Sequence, residues 1–347
     1  MPDTKYSYPI VLDQNENHFP PSRECADFIK DLTFDYFSRY SRLNPSLKDK
    51  LSKHFEVDVN QVIIGQGAEG ILKQAFQYLI KPGDKVLLNH SGWLYYQKVA
   101  LEVEADVLFY HMIEGDDSFS YDIKEITNLL KENDIKLFFL TSPNNPTGSV
   151  LDQEAIATLF NFVDPATTYT ILDEAYWGFV KPNYSFKDLL ATQNILIIRT
   201  FSKLFALAGA RVGFAFASEH WKGFVLEMSR YLGMPHVSEK LAMLSLDSWD
   251  YYQTLVPLFR KEADKYYDTL VPLGVKVFRT ATNFIFAKLK QEHFKILKEQ
   301  LPLRNIIIKF FDETKEPFFQ YCIRISIGNT QENEFVIASI VEILQGQ

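Results

Sequence analysis

Six short runs, largely apolar on both faces, recur through the middle of the chain: Val62–Ile64, Val86–Leu88, Lys136–Thr141, Thr168–Leu172, Ile195–Ile198 and Val212–Ala217. Strands of that kind need cover above and below, which is the condition of a largely parallel sheet flanked by helices. The segments between them supply the cover. Ile71, Leu72, Ala75, Phe76 and Leu79 share one helix face, and Lys81-Pro82-Gly83-Asp84 ends that helix in a turn. Asp152 is placed to cap a helix that presents Ile156, Leu159, Phe160 and Val163.

From about Ser238 the rhythm changes. A long helical stretch runs through Tyr251 to Leu270, short strands follow at Val275–Phe278, Phe284–Ala287 and Tyr321–Ile327, and Gln331–Leu344 reads as a closing helix. The expected fold class is therefore α/β. Residues 44–237 form a large domain, with a mostly parallel sheet sandwiched by helices. Residues 238–347, together with an N-terminal segment 1–43, form a smaller α+β domain. A chain of 347 residues that is 47% hydrophobic is long and apolar enough for two such cores.

Bulk properties remove several function classes. The net charge is −8, and a surface of that sign argues against a nucleic-acid partner. Cys25 and Cys322 lie far apart and the histidines have no close spacing, so neither a disulfide framework nor a metal site is expected. The N-terminus has no signal-peptide pattern, and no run of about 18 apolar residues suggests a membrane span. A cytoplasmic enzyme or binding protein is expected.

Gly65-Gln66-Gly67-Ala68-Glu69-Gly70 matches Gly-x-Gly-x-x-Gly between a strand and a helix. A dinucleotide site would also need an acid at the end of the next strand, to hold a ribose. That strand ends in Asn89-His90-Ser91. By itself the stretch reads equally as a tight turn before a helix or as an anion site on a helix N-terminus, and the rest of the chain favours a single phosphate there. Four further polar segments stand near strand ends: Asn144-Asn145-Pro146-Thr147-Gly148, Asp173-Glu174-Ala175-Tyr176, Thr200-Phe201-Ser202-Lys203 and Ala210-Arg211-Val212-Gly213. Each alone reads as a turn, a cap or a solvated charge. In a parallel sheet, however, strand ends share one crevice, and Asp173 and Lys203 can both point into it.

In this order and spacing the set resembles the fold-type I pyridoxal-phosphate (PLP) aminotransferases of classes I and II, and within them the histidinol-phosphate aminotransferases. Leu12-Asp13-Gln14-Asn15-Glu16-Asn17, Arg39-Tyr40, the run Arg199 to Arg211 and Ile323-Arg324-Ile325-Ser326 carry the likeness over nearly the whole chain. The resemblance implies that Lys203 holds PLP as a Schiff base and moves the substrate proton. It implies that Asp173 keeps the pyridine nitrogen protonated, and that Tyr176 and Asn145 bond the ring hydroxyl. Arg211, Ser202, Thr200 and the backbone of Ala68 and Glu69 would hold the cofactor phosphate. Tyr40 would reach a phosphate across a homodimer interface. Trp93 would stack on the ring, with Tyr95 and Tyr96 as alternatives. Arg324 would bind the substrate carboxylate, and Asn145 would bind the substrate with it.

The pattern departs from the subgroup in three places. The N-terminal segment that precedes Leu12-Asp13 in histidinol-phosphate enzymes is missing, Arg-Tyr-Pro is here Arg39-Tyr40-Ser41, and the stretch between prolines is here Gly233-Met234-Pro235-His236. The expected activity is amino transfer between an amino acid or amino phosphate and a 2-oxo acid, with histidinol phosphate and 2-oxoglutarate as the best pair. The alternatives are a PLP-dependent decarboxylase of a phosphorylated amino acid, such as threonine phosphate, and a PLP-binding regulatory module without turnover. No basic helix-turn-helix segment precedes the site to favour the module.

Overall fold

The computed structural model describes residues 9–181, 184–230, 234–311 and 317–346. A seven-stranded sheet takes the order Val62–Gln66, Val212–Ala217, Ile195–Thr200, Tyr169–Asp173, Ile135–Thr141, Lys85–Asn89, Asp106–Tyr110. All of its strands run the same way except Val212–Ala217, which is antiparallel to both neighbours. A parallel return would need a crossover of about a dozen residues or more, usually a helix. The link from Thr200 to Val212 holds only the short turn Ala208–Ala210, so the chain doubles back.

This direction rule places the site. The six like-oriented strands bring Gln66, Asn89, Tyr110, Thr141, Asp173 and Thr200 to one edge of the sheet. The opposed strand starts at that same edge, so Arg211, just before Val212, arrives there too. Helices Gly67–Leu79 and Leu94–Glu102 start from that edge as well. Asp152 caps Gln153–Phe160 by accepting from the Ala155 amide at 2.7 Å.

A second sheet has the order Ile10–Leu12, Ile306–Phe310, Cys322–Ser326, Phe284–Lys288, Lys276–Phe278. Its first pair is parallel and the rest antiparallel. Helices Gln291–Leu303 and Trp249–Leu270 pack on it, and Thr330–Gln345 packs against both of them. A capping box of Asn329 and Glu332 starts the last helix, and Glu332 also meets His18 at 2.9 Å. Among the described residues no helix is long and apolar enough to cross a membrane.

The N-terminal segment stitches the two sheets together. The Asn15 amide donates to Ser326 Oγ at 2.7 Å and its side chain to Tyr176 Oη at 2.7 Å. Asn283 donates to the carbonyls of Asn15 and Glu16 at 2.9 and 3.2 Å. Asn17 donates to the Leu204 carbonyl at 2.7 Å. Of the Gly233–His236 stretch, Gly233 lies outside the described residues, while Met234 is buried and His236 opens the helix His236–Asp247.

Candidate active site

A cavity of about 540 Å³ opens at the carboxyl edge of the large sheet. Its lining takes in every site residue marked in the sequence except Tyr40. Tyr40 is 69% exposed, in a segment where Phe34 and Phe37 are exposed as well.

Lys203 follows the strand Ile195–Thr200. Its amine donates to the Gln14 carbonyl at 2.9 Å and lies 5.9 Å from the centre of the Tyr176 ring. Burial, reinforced by the positive charges of Arg324 and Arg211, brings its pKa down to about 8. The amine is therefore partly neutral near physiological pH, the state a nucleophile needs.

Asp173 ends its strand and is 4% exposed. One carboxyl oxygen accepts from Tyr96 Oη at 2.9 Å and the other from the Ala175 amide at 2.8 Å. Burial outweighs these bonds and pushes the carboxyl up to about 6. Burial also pushes Tyr176 up to about 12, so its hydroxyl stays protonated.

The string Asn144-Asn145 divides its work. Asn144 is fully buried and builds the loop, donating to the Ser91 carbonyl at 3.1 Å and Thr147 Oγ1 at 2.8 Å. Gly148 closes the loop at φ +71°, where an added Cβ would lie 2.3 Å from Thr280 Cβ. Asn145 faces the cavity and accepts from Arg324 Nη1 at 2.5 Å. The other terminal nitrogen of Arg324 donates to the Asp13 carbonyl.

The other end of the cavity is built for an anion. Helix Gly67–Leu79 has no side-chain cap, so its first amides, at Ala68 and Glu69, are available to a ligand. Gly213 lets the backbone come this close, because a Cβ there would lie 2.2 Å from the Gly67 carbonyl carbon. Arg211 meets Glu69 Oε2 at 3.1 Å and is half exposed. Thr200 Oγ1 lies 3.1 Å from the Ser202 amide, 3.0 Å from Ser202 Oγ and 3.1 Å from the Val212 carbonyl. Thr200 is thus used within the loop and orients Ser202. An uncapped helix start with a guanidinium, a buried carboxyl and an amine of lowered basicity, all in one cavity, fit the phosphate, ring nitrogen and aldehyde of PLP.

Trp93 lines the cavity, 40% exposed, with its indole stacked on Tyr95 at 4.8 Å and edge-on to Tyr96. Tyr96 is committed to Asp173, a use that the sequence string does not show. Lys309 also lines the cavity and stands opposite Arg324 in the strand register. Its signal was a lone cation in the apolar run Ile306 to Phe310. Behind the site, Arg199 and Glu174 form an ion pair of 2.7 Å, 4% and 3% exposed. Tyr184 Oη donates to the same carboxylate, and the rings of Phe55, Trp177, Phe186 and Phe216 surround the guanidinium at 4.8–5.4 Å.

The chain is similar to known proteins over nearly its whole length. A histidinol-phosphate aminotransferase of Microcystis aeruginosa is 28% identical over 338 residues, covering 96% of this chain and 91% of the relative. One from Methanocaldococcus jannaschii is 26% identical over 342 residues, covering 96% and 89%. The crystal structure of histidinol-phosphate aminotransferase from Sinorhizobium meliloti in complex with pyridoxal-5'-phosphate superposes with a TM-score of 0.86 at 22% identity, covering 98% of this chain and 91% of that one. The family model for aminotransferase class I and II matches residues 8–340, and the chain belongs to that family.

Proposed function

We propose that the chain uses pyridoxal phosphate to move an amino group between histidinol phosphate and a 2-oxo acid such as 2-oxoglutarate. The observation that carries the reading is the meeting of Lys203, Asp173 and Arg324 in one cavity. Pyridoxal phosphate, when bound, supplies the electron sink that makes the substrate carbon acidic.

The chain's own residues do the rest. Lys203, with a pKa brought down to about 8, takes the proton from the substrate carbon and returns it. Asp173 would pair with the ring nitrogen and keep it protonated. Tyr176 and Asn145 would donate to the ring hydroxyl, and Trp93 would offer its indole to the ring. The Ala68 and Glu69 amides, Ser202 and Arg211 would hold the cofactor phosphate, with Thr200 orienting Ser202. Tyr40 serves the site of a second copy, so the active form is a homodimer. The cofactor domain is residues 44–237, and segments 1–43 and 238–347 make the other.

Arg324 takes the acidic group of the substrate. Lys309, its register partner, adds a second positive charge, which suits a phosphate dianion as well as a carboxylate. The Microcystis and Methanocaldococcus relatives carry the name of that phosphate substrate.

The test is borohydride reduction of the yellow holoenzyme, peptide mapping, and a screen of amino donors with 2-oxoglutarate. The label is expected on Lys203, and glutamate is expected to form from histidinol phosphate. A label spread over other lysines sinks the mechanism. Carbon dioxide released from a phosphorylated amino acid without glutamate formation makes the protein a decarboxylase.

A further inference from the structure

We infer that Tyr96 is a positioning residue for the reaction: its hydroxyl holds Asp173 in the ionised and oriented form that a ring nitrogen requires, an inference that rests on the cofactor reading above. Tyr96 lies in the helix Leu94–Glu102 and is 4% exposed. Its ring centre is 4.3 Å from that of Phe139 and 5.6 Å from that of Trp93, edge-on to the latter at 85°. Its oxygen is 2.9 Å from Asp173 Oδ2.

The direction of that bond is fixed by chemistry. Burial drives the Tyr96 phenol well above its ordinary pKa, so it keeps its proton and can only donate when its partner is a carboxylate. Asp173 Oδ1 meanwhile takes the Ala175 amide. One donor on each oxygen sets the plane of the carboxyl group, and its remaining lone pairs are left for the cavity that Asp173 lines. The other charges close to Asp173 do not replace this donor. Glu174 is turned to Arg199 at 2.7 Å, and Lys203 bonds the Gln14 carbonyl.

Burial alone favours the neutral carboxyl. With the Tyr96 donor removed, Asp173 competes with the ring nitrogen for one proton. A hydrogen bond to a charged acceptor is worth about one to two pH units of that competition. A proton moved from ring to carboxyl takes positive charge off the conjugated system. The nitrogen joined to Lys203 then becomes more basic.

The experiment titrates the visible band of the holoenzyme against pH, at saturating cofactor, in four proteins: wild type, Tyr96→Phe, Asp173→Asn and the double variant. Tyr96→Phe removes one oxygen and leaves the ring packing. Its titration midpoint is expected to rise by about one unit or more, and the same substitution is expected to add nothing once Asp173 is Asn. A midpoint unchanged in Tyr96→Phe overturns the inference. An equal shift in the Asp173→Asn background also overturns it, because the effect would then not run through the carboxylate. A purely structural role would lower Tm without moving the midpoint. Difluorotyrosine at position 96 tests the same bond in a side chain of nearly the same shape. As a stronger donor it should move the midpoint the opposite way, and no movement counts against the inference. A wild-type protein with no band overturns both readings, whereas a wild-type band trapped on Lys203 with Tyr96→Phe unmoved overturns only this one.

Discussion

Replacing Glu174 by Gln strands the Arg199 guanidinium in a closed aromatic box. The pair is 2.7 Å apart with both side chains below 5% exposed, so water cannot take over the lost partner. Removing one member of a buried pair costs about 3–5 kcal/mol, mostly the penalty of the charge left behind. The four rings around the guanidinium stabilise a cation in either protein, which points to the lower half of that range. Unfolding entropy of about 2.1 cal/mol/K per residue, taken over 347 residues, turns it into a fall in Tm of about 4–5.5 °C. The assay is thermal unfolding by circular dichroism of Glu174→Gln, Arg199→Met and the double variant. The double variant should recover much of the loss, because a buried pair replaced by neutral groups is often no less stable than the pair. A Glu174→Gln protein that melts within about 1 °C of wild type would refute the reasoning, and so would a double variant less stable than either single one.

Three further outcomes follow from the geometry. Lys203 titrates near 8 in the folded chain and near 10.5 when exposed, so its protonated form is penalised below pH 8 and the penalty is relieved between 8 and 10.5. The unloaded protein should therefore gain stability against Lys203→Met across that window, and its capture of cofactor should climb about tenfold per unit up to pH 8 and then flatten; an inflection near 10.5 would show an unperturbed amine. Gly213→Ala puts a Cβ 2.2 Å from the Gly67 carbonyl carbon and 2.4 Å from the Ala68 nitrogen; cofactor retention, followed by absorbance through dialysis, should weaken by about tenfold or more, and unchanged retention would remove that helix start from the site. Arg324→Lys loses the planar fork, so KM for the acidic substrate should rise about 30-fold or more with a smaller change in kcat; an unchanged KM would take Arg324 out of substrate binding.

Much of this arrangement is legible in the sequence because it depends on where apolar runs stop. Asp173 and Thr200 end runs that could only be buried strands, and from there the shared crevice follows. The direction of Val212–Ala217 was not legible, since period and polarity are the same for either orientation. The short link before it decides the matter. The edge strand Asp106–Tyr110 escaped because it is only half covered and lacks the continuous apolar signal. Tyr96 was visible only as one aromatic among several. Its bond to Asp173 joins positions 77 residues apart, and no local pattern encodes that. Tyr40 reads as a site residue only through resemblance, because a single chain leaves it on the surface.

The stitching of the N-terminal segment has a consequence for how the protein is made. Ile10–Leu12 takes its place beside Ile306–Phe310, and Asn15 meets a serine 311 positions later. During synthesis Ile10–Leu12 must wait for Ile306–Phe310, an interval of about 15 seconds or more at ribosomal rates. The large sheet, from Val62 to Ala217, can meanwhile close on its own local connections. Cofactor capture at Lys203 therefore belongs after translation, when the two ends of the chain have met, and a nascent chain stalled before Ile306 should stay colourless in the presence of pyridoxal phosphate.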